Sequence, residues 1–212
     1  MAASMLTCFR GVRTEPVNLP WSDDRQEQHA LQFFVRHSAP QLAGYFDSPF
    51  WQRMVLQAGR QEPAVRHAIA AIGALHEKLL TGAVNPEHMQ DKRTRFALEQ
   101  CNKSIQHLVT PPDATTQPDL RLMLTTCVLF TCFEALQGHC EQAVIHATQG
   151  YSLLQQYATV SAKHSRPYSV QGCAGGMYVT YVQLLITTLY RIQRTSGGTL
   201  VRSLLSSINC VS

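Results

Sequence analysis

Residues 41–80, QLAGYFDSPFWQRMVLQAGRQEPAVRHAIAAIGALHEKLL, contain the signals that decide the fold. Two helix starts occur in this stretch: residues 47–49, DSP, offer a capping side chain followed by a first-turn proline, and residues 62–63, EP, repeat the proline signal. The second helix then carries large apolar side chains at three- and four-residue steps, which predicts one packed face. These side chains are Val65, Ile69, Ile72, Leu75 and Leu79. Alanines and Gly73 flank them, so another helix is expected to approach closely.

Helix signals continue on both sides of this stretch. Asp24 and Glu27 form a capping box, and Pro40 is expected to end the helix that they open. Gly138 is expected to provide the left-handed residue of a tight turn between two helices, which should form an antiparallel hairpin. Helices are predicted at about residues 25–37, 49–59, 63–80, 85–109, 118–137 and 141–157. In the fourth of them, the residues expected to point inward are Phe96, Cys101, Ile105 and Leu108.

The fold class predicted from these signals is all-α, an array of antiparallel helix pairs with no sheet, because no stretch alternates as a strand does. Residues 1–23 are expected to be irregular, 24–158 to form the helical domain, and 159–177 to form a loop. Residues 178–212 are expected to hold further helices. An apolar stripe in that segment would be exposed unless it finds a partner; it consists of Val182, Leu185, Ile186 and Leu189.

Composition excludes several classes of function. The 212 residues carry a formal net charge of +4, but the arginines are scattered and no block of Lys and Arg forms a nucleic-acid footprint, so we expect no direct DNA binding. The most apolar stretch, residues 120–136, is interrupted by polar side chains and predicts a buried helix instead of a membrane span. The seven cysteines are odd in number and none forms a C-x-x-C pair, which indicates free thiols in a soluble intracellular protein.

Candidate chemistry is sparse. His76-Glu77 begins like the H-E-x-x-H zinc motif, but the second histidine would have to stand where Leu80 stands. His76 is therefore interpreted as a half-exposed helix residue, and His67, like His76, as a histidine without a partner. A metal or nucleophile site at His139, Cys140 and His146 is the remote enzymatic alternative, because no further ligand pair is nearby. The prediction is a non-enzyme with no catalytic residue, cofactor or metal.

Two motifs carry a resemblance to a known family. The first, at residues 29–77, combines a Phe-rich early helix, an aromatic link, the Phe50-Trp51 pair and the text EPAVRHAIAA. The second, at residues 124–157, is an apolar helix ending in Phe-x-x-x-Glu-x-x-Gln-Gly, followed by an Ala-x-x-His-x-x-x-Gly helix. Over about residues 28–158, the sequence resembles the regulatory domain of fungal binuclear zinc-cluster transcription factors.

The resemblance implies a nuclear transcription-regulatory or interaction domain. Its partners would be proteins of the transcription machinery or a second copy, and a small-molecule effector is conceivable. The family reads DNA through six cysteines that hold two zinc ions, but this chain has only Cys8 before Cys101, so neither zinc nor DNA binding transfers to it. We therefore expect a fragment or a cluster-less relative. The expected interaction or pocket residues are Phe46, Trp51, Ile69 and Ile72. The alternative that stays open is a helical protein–protein interaction scaffold unrelated to transcription.

Overall fold

The structure, a computed structural model, describes residues 22–43, 49–81, 87–109 and 119–163. Within these ranges the elements are helical and no strand occurs, which confirms the all-α prediction. Wider turns of π-helical type occupy Phe34–Ser38 and Phe50–Met54. The α-helices are α1 Arg25–Phe33, α2 Ala39–Ala43, α3 Val55–Gln61, α4 Pro63–Thr81, α5 Glu87–Val109, α6 Leu120–Leu136 and α7 Cys140–Lys163.

Helix α4 is the centre of the fold. It packs against α1, α3, α5 and α6, and every residue from Ala64 to Glu77 except Arg66 is buried. The predicted apolar stripe is confirmed over its first four members, which are 0–4% exposed. Its last member, Leu79, is 55% exposed, contrary to the prediction. Leu79 lies on the last turn of α4, beside an open cleft that no described helix covers.

The crossing of α1 over α4 depends on Gly73. A Cβ atom at this position would lie 2.2 Å from the carbonyl oxygen of Ala30, far inside van der Waals contact. Only glycine therefore lets the two backbones come this close, as the sequence predicted. The prediction that Pro40 ends the first helix is wrong. The wide turn at Phe34–Ser38, closed by the Ala39 amide donating to the Phe34 carbonyl, ends α1, and Pro40 lies in the first turn of α2, where its missing N–H costs little.

Helix α5 packs along α4, and the face that it buries differs from the one predicted. Phe96 and Cys101 are buried as expected, but Ile105 is 44% exposed and Leu108 is half-buried. Polar side chains take the inner face instead, because Gln100 and Ser104 are 1% and 0% exposed. The face of α5 that packs on α4 is therefore the one that carries Gln100 and Ser104, which form hydrogen bonds with α4.

Helices α6 and α7 form the predicted hairpin. The Asp119 carboxylate caps α6 by accepting from the Arg121 amide at 3.0 Å. At the other end, Gly138 has a φ of 80°, and the His139 amide donates back to the Glu134 carbonyl at 2.9 Å, which is a Schellman ending. Helix α7 continues to Lys163, beyond the end predicted near residue 157.

Candidate functional site

A buried polar layer joins α1, α4 and α5; we define it as Glu27, His67, Gln100 and Ser104. Their exposed fractions are 5%, 8%, 1% and 0%, which is unusual for groups of this polarity. The His67 Nδ1–H donates to Gln100 Oε1 at 2.7 Å, and the Ser104 hydroxyl donates to the Ala64 carbonyl at 2.6 Å. Buried polar groups are costly unless they are paired, so these bonds fix the lateral register of α5 on α4.

Glu27 brings a carboxylate into this layer from α1. Its Oε2 accepts a hydrogen bond from the Ser22 hydroxyl at 3.1 Å. Its Oε1 lies 3.5 Å from both Arg66 Nε and His67 Nδ1, and it is buried without a hydrogen-bond partner. Attraction to the Arg66 guanidinium therefore provides the compensation for burying this oxygen.

His67 is held neutral in this setting. Burial lowers its pKa most strongly. The Gln100 hydrogen bond and the Glu27 charge raise the pKa by less, and the nearby Arg66 and His107 lower it by the smallest amounts. The His107 ring stacks on the His67 ring with centroids 5.4 Å apart. Because its Nδ1–H donates a hydrogen bond to Gln100 Oε1, His67 acts as a structural hydrogen-bond donor and not as a free base.

His76 and Glu77 form a second set of polar contacts with neighbouring helices at the other end of α4. His76, only 7% exposed, shares a 2.9 Å hydrogen bond between its Nδ1 and the Ser38 hydroxyl. The Glu77 carboxylate accepts from Arg93 Nη2 at 3.0 Å and lies 3.1 Å from His29 Nε2. The predictions that His76 is half-exposed and that His67 and His76 have no partners are thus wrong, because helices pack on both sides of α4.

The buried histidines predict a pH dependence of stability. Burial lowers the pKa of His67 and His76 below the ordinary 6.5. Above pH 6.5 both side chains are neutral in the folded and unfolded states, so their burial does not reduce the free energy of unfolding there. As the pH falls below 6.5, the unfolded chain takes up protons first, so the free energy of unfolding should decrease until the lowered folded pKa values are passed.

Urea denaturation at about pH 7.5 and about pH 5.5 measures this dependence. We expect a lower free energy of unfolding at the acid pH. The dependence should be weaker in His76→Gln, which removes one of the three described histidines with a lowered pKa, the others being His67 and His146. Equal stability at both pH values would show that the histidines titrate normally in the folded protein.

The Ser104 hydroxyl gives a prediction for the polar layer itself. Ser104→Ala removes the bond to the Ala64 carbonyl and should lower the free energy of unfolding by about 1 kcal/mol, because that carbonyl keeps a helical partner. Thr148→Ala is the matched control: its hydroxyl also donates to helix carbonyls but is exposed and joins no second helix. Chemical denaturation should show almost no change for the control. Equal losses in both variants would contradict a special role for the buried bond.

The predicted interaction residues lie in the core where the structure describes them. Trp51 is 1% exposed, and its ring centroid lies 4.8 Å from that of Phe50 and 6.5 Å from that of Phe34. Ile69 and Ile72 are fully buried on α4. Phe46 lies outside the described residues. The described members therefore pack helices together, and a role in contacting a ligand or partner stays a prediction.

The two histidines of the remote enzyme alternative, His139 and His146, have other partners. His139 Nδ1 lies 2.8 Å from a Glu134 carboxylate oxygen, and the His146 ring packs on Phe130 with centroids 5.5 Å apart. Among the described residues, no group of three or more His, Cys, Asp or Glu side chains is placed to hold a metal ion. Burial raises the pKa of the Cys101 and Cys127 thiols to about 11, which keeps them protonated and weakly nucleophilic.

One cleft opens near the C-terminal ends of α4 and α6. Its volume is about 240 Å³, and it is lined by Leu75, Lys78, Leu79, Thr94, Leu136, Gln137 and His139. Pockets for drug-sized ligands usually measure about 300–1,000 Å³. The cleft is therefore small for an effector of that size.

Comparison with known proteins decides the family. Residues 29–188 match the family described as the fungal specific transcription factor domain, and this match covers most of the chain. The chain belongs to this family. The match contains helices α4 to α7, which include the α6–α7 hairpin and carry His67, Gln100 and Ser104 of the polar layer, while Glu27 of α1 lies just before it.

A curated relative is the aspercryptin biosynthesis cluster-specific transcription regulator atnN of Emericella nidulans, to which the domain is 30% identical over 134 residues. The aligned part covers 61% of this chain but only 20% of the relative, so the domain spans about a fifth of that protein's length. No solved structure matches the chain. None of the described helices combines the length and apolarity that a membrane crossing requires.

The polar layer of this domain does not follow from the apolar pattern of the sequence. A signal was present, because Gln100 and Ser104 follow the inward-facing Phe96 at successive four-residue steps and hence share its side of α5. Glu27 has the spacing of a capping box, but its carboxylate reaches from α1 to α4. Apolar periodicity alone could not identify a helix face whose inner positions are polar.

Proposed function

We propose that this chain acts in the nucleus as a transcription-regulatory domain that works through protein contacts and leaves DNA reading to another module. The observation that carries the proposal is the family match over residues 29–188. The name of the relative, a cluster-specific transcription regulator, supports the same class of function. Scattered basic residues support the view that this chain does not hold DNA by itself.

The chemistry of the described residues supports an interaction domain over an enzyme. The buried acids and bases, such as Glu27 and His67, are engaged with one another across helix boundaries. His76 and Glu77 are likewise occupied by groups from neighbouring helices. Such pairing stabilises one arrangement of helices, whereas catalysis would need these groups to face a substrate.

Regulation by such a domain requires two helix arrangements whose balance a partner can shift. We place the shift at α1, which touches α4 through Gly73 and reaches the polar layer through Glu27. Phe34, directly after α1, packs on Trp51, so a movement of α1 would change the environment of that ring. In this view Trp51, Ile69 and Ile72, together with Phe46, transmit the change instead of contacting a partner directly.

The test is a tethered reporter assay. The full chain is fused to a foreign DNA-binding domain in a fungal host, and transcription from a promoter carrying that domain's site is measured under several nutrient conditions. We expect transcription to differ several-fold from that given by the DNA-binding domain alone. Unchanged transcription under every condition, at equal protein level, would refute the proposal. Exclusion of the fluorescently tagged chain from the nucleus would favour the scaffold alternative instead.

A further inference from the structure

The cleft near the C-terminal ends of α4 and α6 combines apolar walls with the ammonium group of Lys78. Leu75 and Leu79 of α4 line it, and Leu136 of α6 adds a third apolar side chain. Leu79 is 55% exposed, so apolar surface is left uncovered there. The Lys78 side chain reaches across to α5, because its Nζ donates to the Thr94 hydroxyl oxygen at 2.7 Å. The cleft therefore offers a charged end and an apolar body.

The positive charge of Lys78 is not balanced by a carboxylate among the side chains that the structure describes. Glu77, the preceding residue, accepts from Arg93 Nη2 at 3.0 Å. The Glu134 carboxylate lies 2.8 Å from His139 Nδ1 at the rim of the cleft. Lys78 itself is half-buried, and its bond goes to a neutral hydroxyl. An anion in the cleft would therefore give this ammonium a charge-assisted partner.

The helix ends beside the cleft do not cancel this attraction. A helix C-terminus carries only about half a unit of negative charge, whereas the Lys78 ammonium carries a full positive charge. At the end of α6, the Glu134 carbonyl accepts from the His139 amide at 2.9 Å, and the Ala135 carbonyl accepts from the Gly138 amide at 3.1 Å. These bonds reduce the partial negative charge that an anion would meet.

We propose that this cleft binds a small aliphatic carboxylate, whose charged group pairs with Lys78 and whose hydrocarbon chain lies against Leu75, Leu79 and Leu136. The volume of about 240 Å³ is below the usual range for drug-sized ligands, so a ligand of about eight non-hydrogen atoms is the class that fits. The single ammonium matches the one negative charge of a carboxylate better than the nearly two charges of a phosphate ester. This site goes beyond the proposed function and is tested without a transcription readout.

Titration of the full chain with sodium hexanoate, followed by the NMR shifts of backbone amides, tests the site. A ligand of this size should bind with a Kd of about 0.1–1 mM, with saturable shifts centred on residues 75–79, 94 and 136–139. Hexanamide has the same length without the charge, and acetate has the charge without the chain. Both should bind at least about 10-fold more weakly than hexanoate. The proposal is overturned if hexanoate gives no saturable shifts at the cleft, or if either control ligand binds as tightly.

Removing the charge tests the role of Lys78. Lys78→Met keeps an apolar stem of similar length and should weaken hexanoate binding at least about 10-fold, while leaving the weak binding of hexanamide unchanged. Lys103→Met is the matched control, because Lys103 is exposed on α5 and does not line the cleft. It should bind hexanoate as the wild type does. Wild-type affinity in Lys78→Met would contradict the pairing of the carboxylate with this ammonium.

A second pair of variants tests the apolar wall. Leu79→Glu places a negative charge inside the cleft and should abolish hexanoate binding, whereas the exposure of Leu79 lets the fold tolerate the change. Leu80→Glu adds the same charge at the next position, where the side chain is 53% exposed and does not line the cleft. It should retain most of the affinity. Equal affinities in these two variants would show that the ligand does not lie against Leu79.

Discussion

Trp51→Ala is expected to lower the free energy of unfolding by about 3–5 kcal/mol. The indole is 1% exposed and packs between Phe34 and Phe50, so its removal leaves a cavity between the segment before α3 and the end of α1. Because single domains have a free energy of unfolding of only about 5–15 kcal/mol, we expect a large fraction of the Trp51→Ala protein to be unfolded near physiological temperature. Urea denaturation measured by circular dichroism gives the loss directly.

The neighbouring residue provides the control for this variant. Gln52 is exposed, so Gln52→Ala should change the free energy of unfolding by less than about 0.5 kcal/mol. If Trp51→Ala were as mild as Gln52→Ala, the indole would not be packed in the core, and the contact between Phe34 and Trp51 would be wrong.

Gly73→Ala is expected to destabilise the protein by about 2 kcal/mol, against the usual trend for helices. Alanine favours a helix interior over glycine by about 1 kcal/mol, so local propensity alone predicts a gain in stability. The new Cβ would meet the Ala30 carbonyl oxygen at 2.2 Å, and because that atom belongs to the backbone, α1 itself must move. The sign of the change therefore distinguishes close helix crossing from helix propensity.

A series at this position sharpens the test. Gly73→Val adds two methyl groups to the same collision and should be less stable than Gly73→Ala, with both below the wild type in thermal denaturation. An increase in stability for Gly73→Ala would mean that α1 does not cross α4 at this point.

Much of the fold could be predicted from local signals. The signals act within a few residues of the chain. They are the helix starts at Asp24 and Pro63, the turn at Gly138 and the spacing of apolar side chains on α4. The same applies to the close approach at Gly73, because a small residue beside an apolar stripe leaves room for a neighbouring backbone.

The predictions that are wrong concern residues whose environment depends on contacts with other parts of the fold. Pro40 does not end a helix, because the wide turn before it has already changed the hydrogen-bond pattern. Ile105 faces outward because Gln100 and Ser104 find partners on α4, which sequence spacing does not reveal. His67 similarly gains its role from contacts with helices 33 or more positions away along the chain. Tertiary partners thus determine which polar residues can be buried.

The same argument applies to function. The family match identifies a fungal transcription factor domain, while the acids and bases of the described core tie helices together. We therefore expect the proposed regulatory role to depend on the folded helical body.

The most direct measurement is the tethered reporter with paired core variants. The full chain and Gln52→Ala should alter transcription to the same extent, whereas Trp51→Ala, adjusted to equal protein level, should lose the effect. Transcription that is unaltered by the wild-type chain, or altered equally by Trp51→Ala, would contradict the account of a folded transcription-regulatory domain.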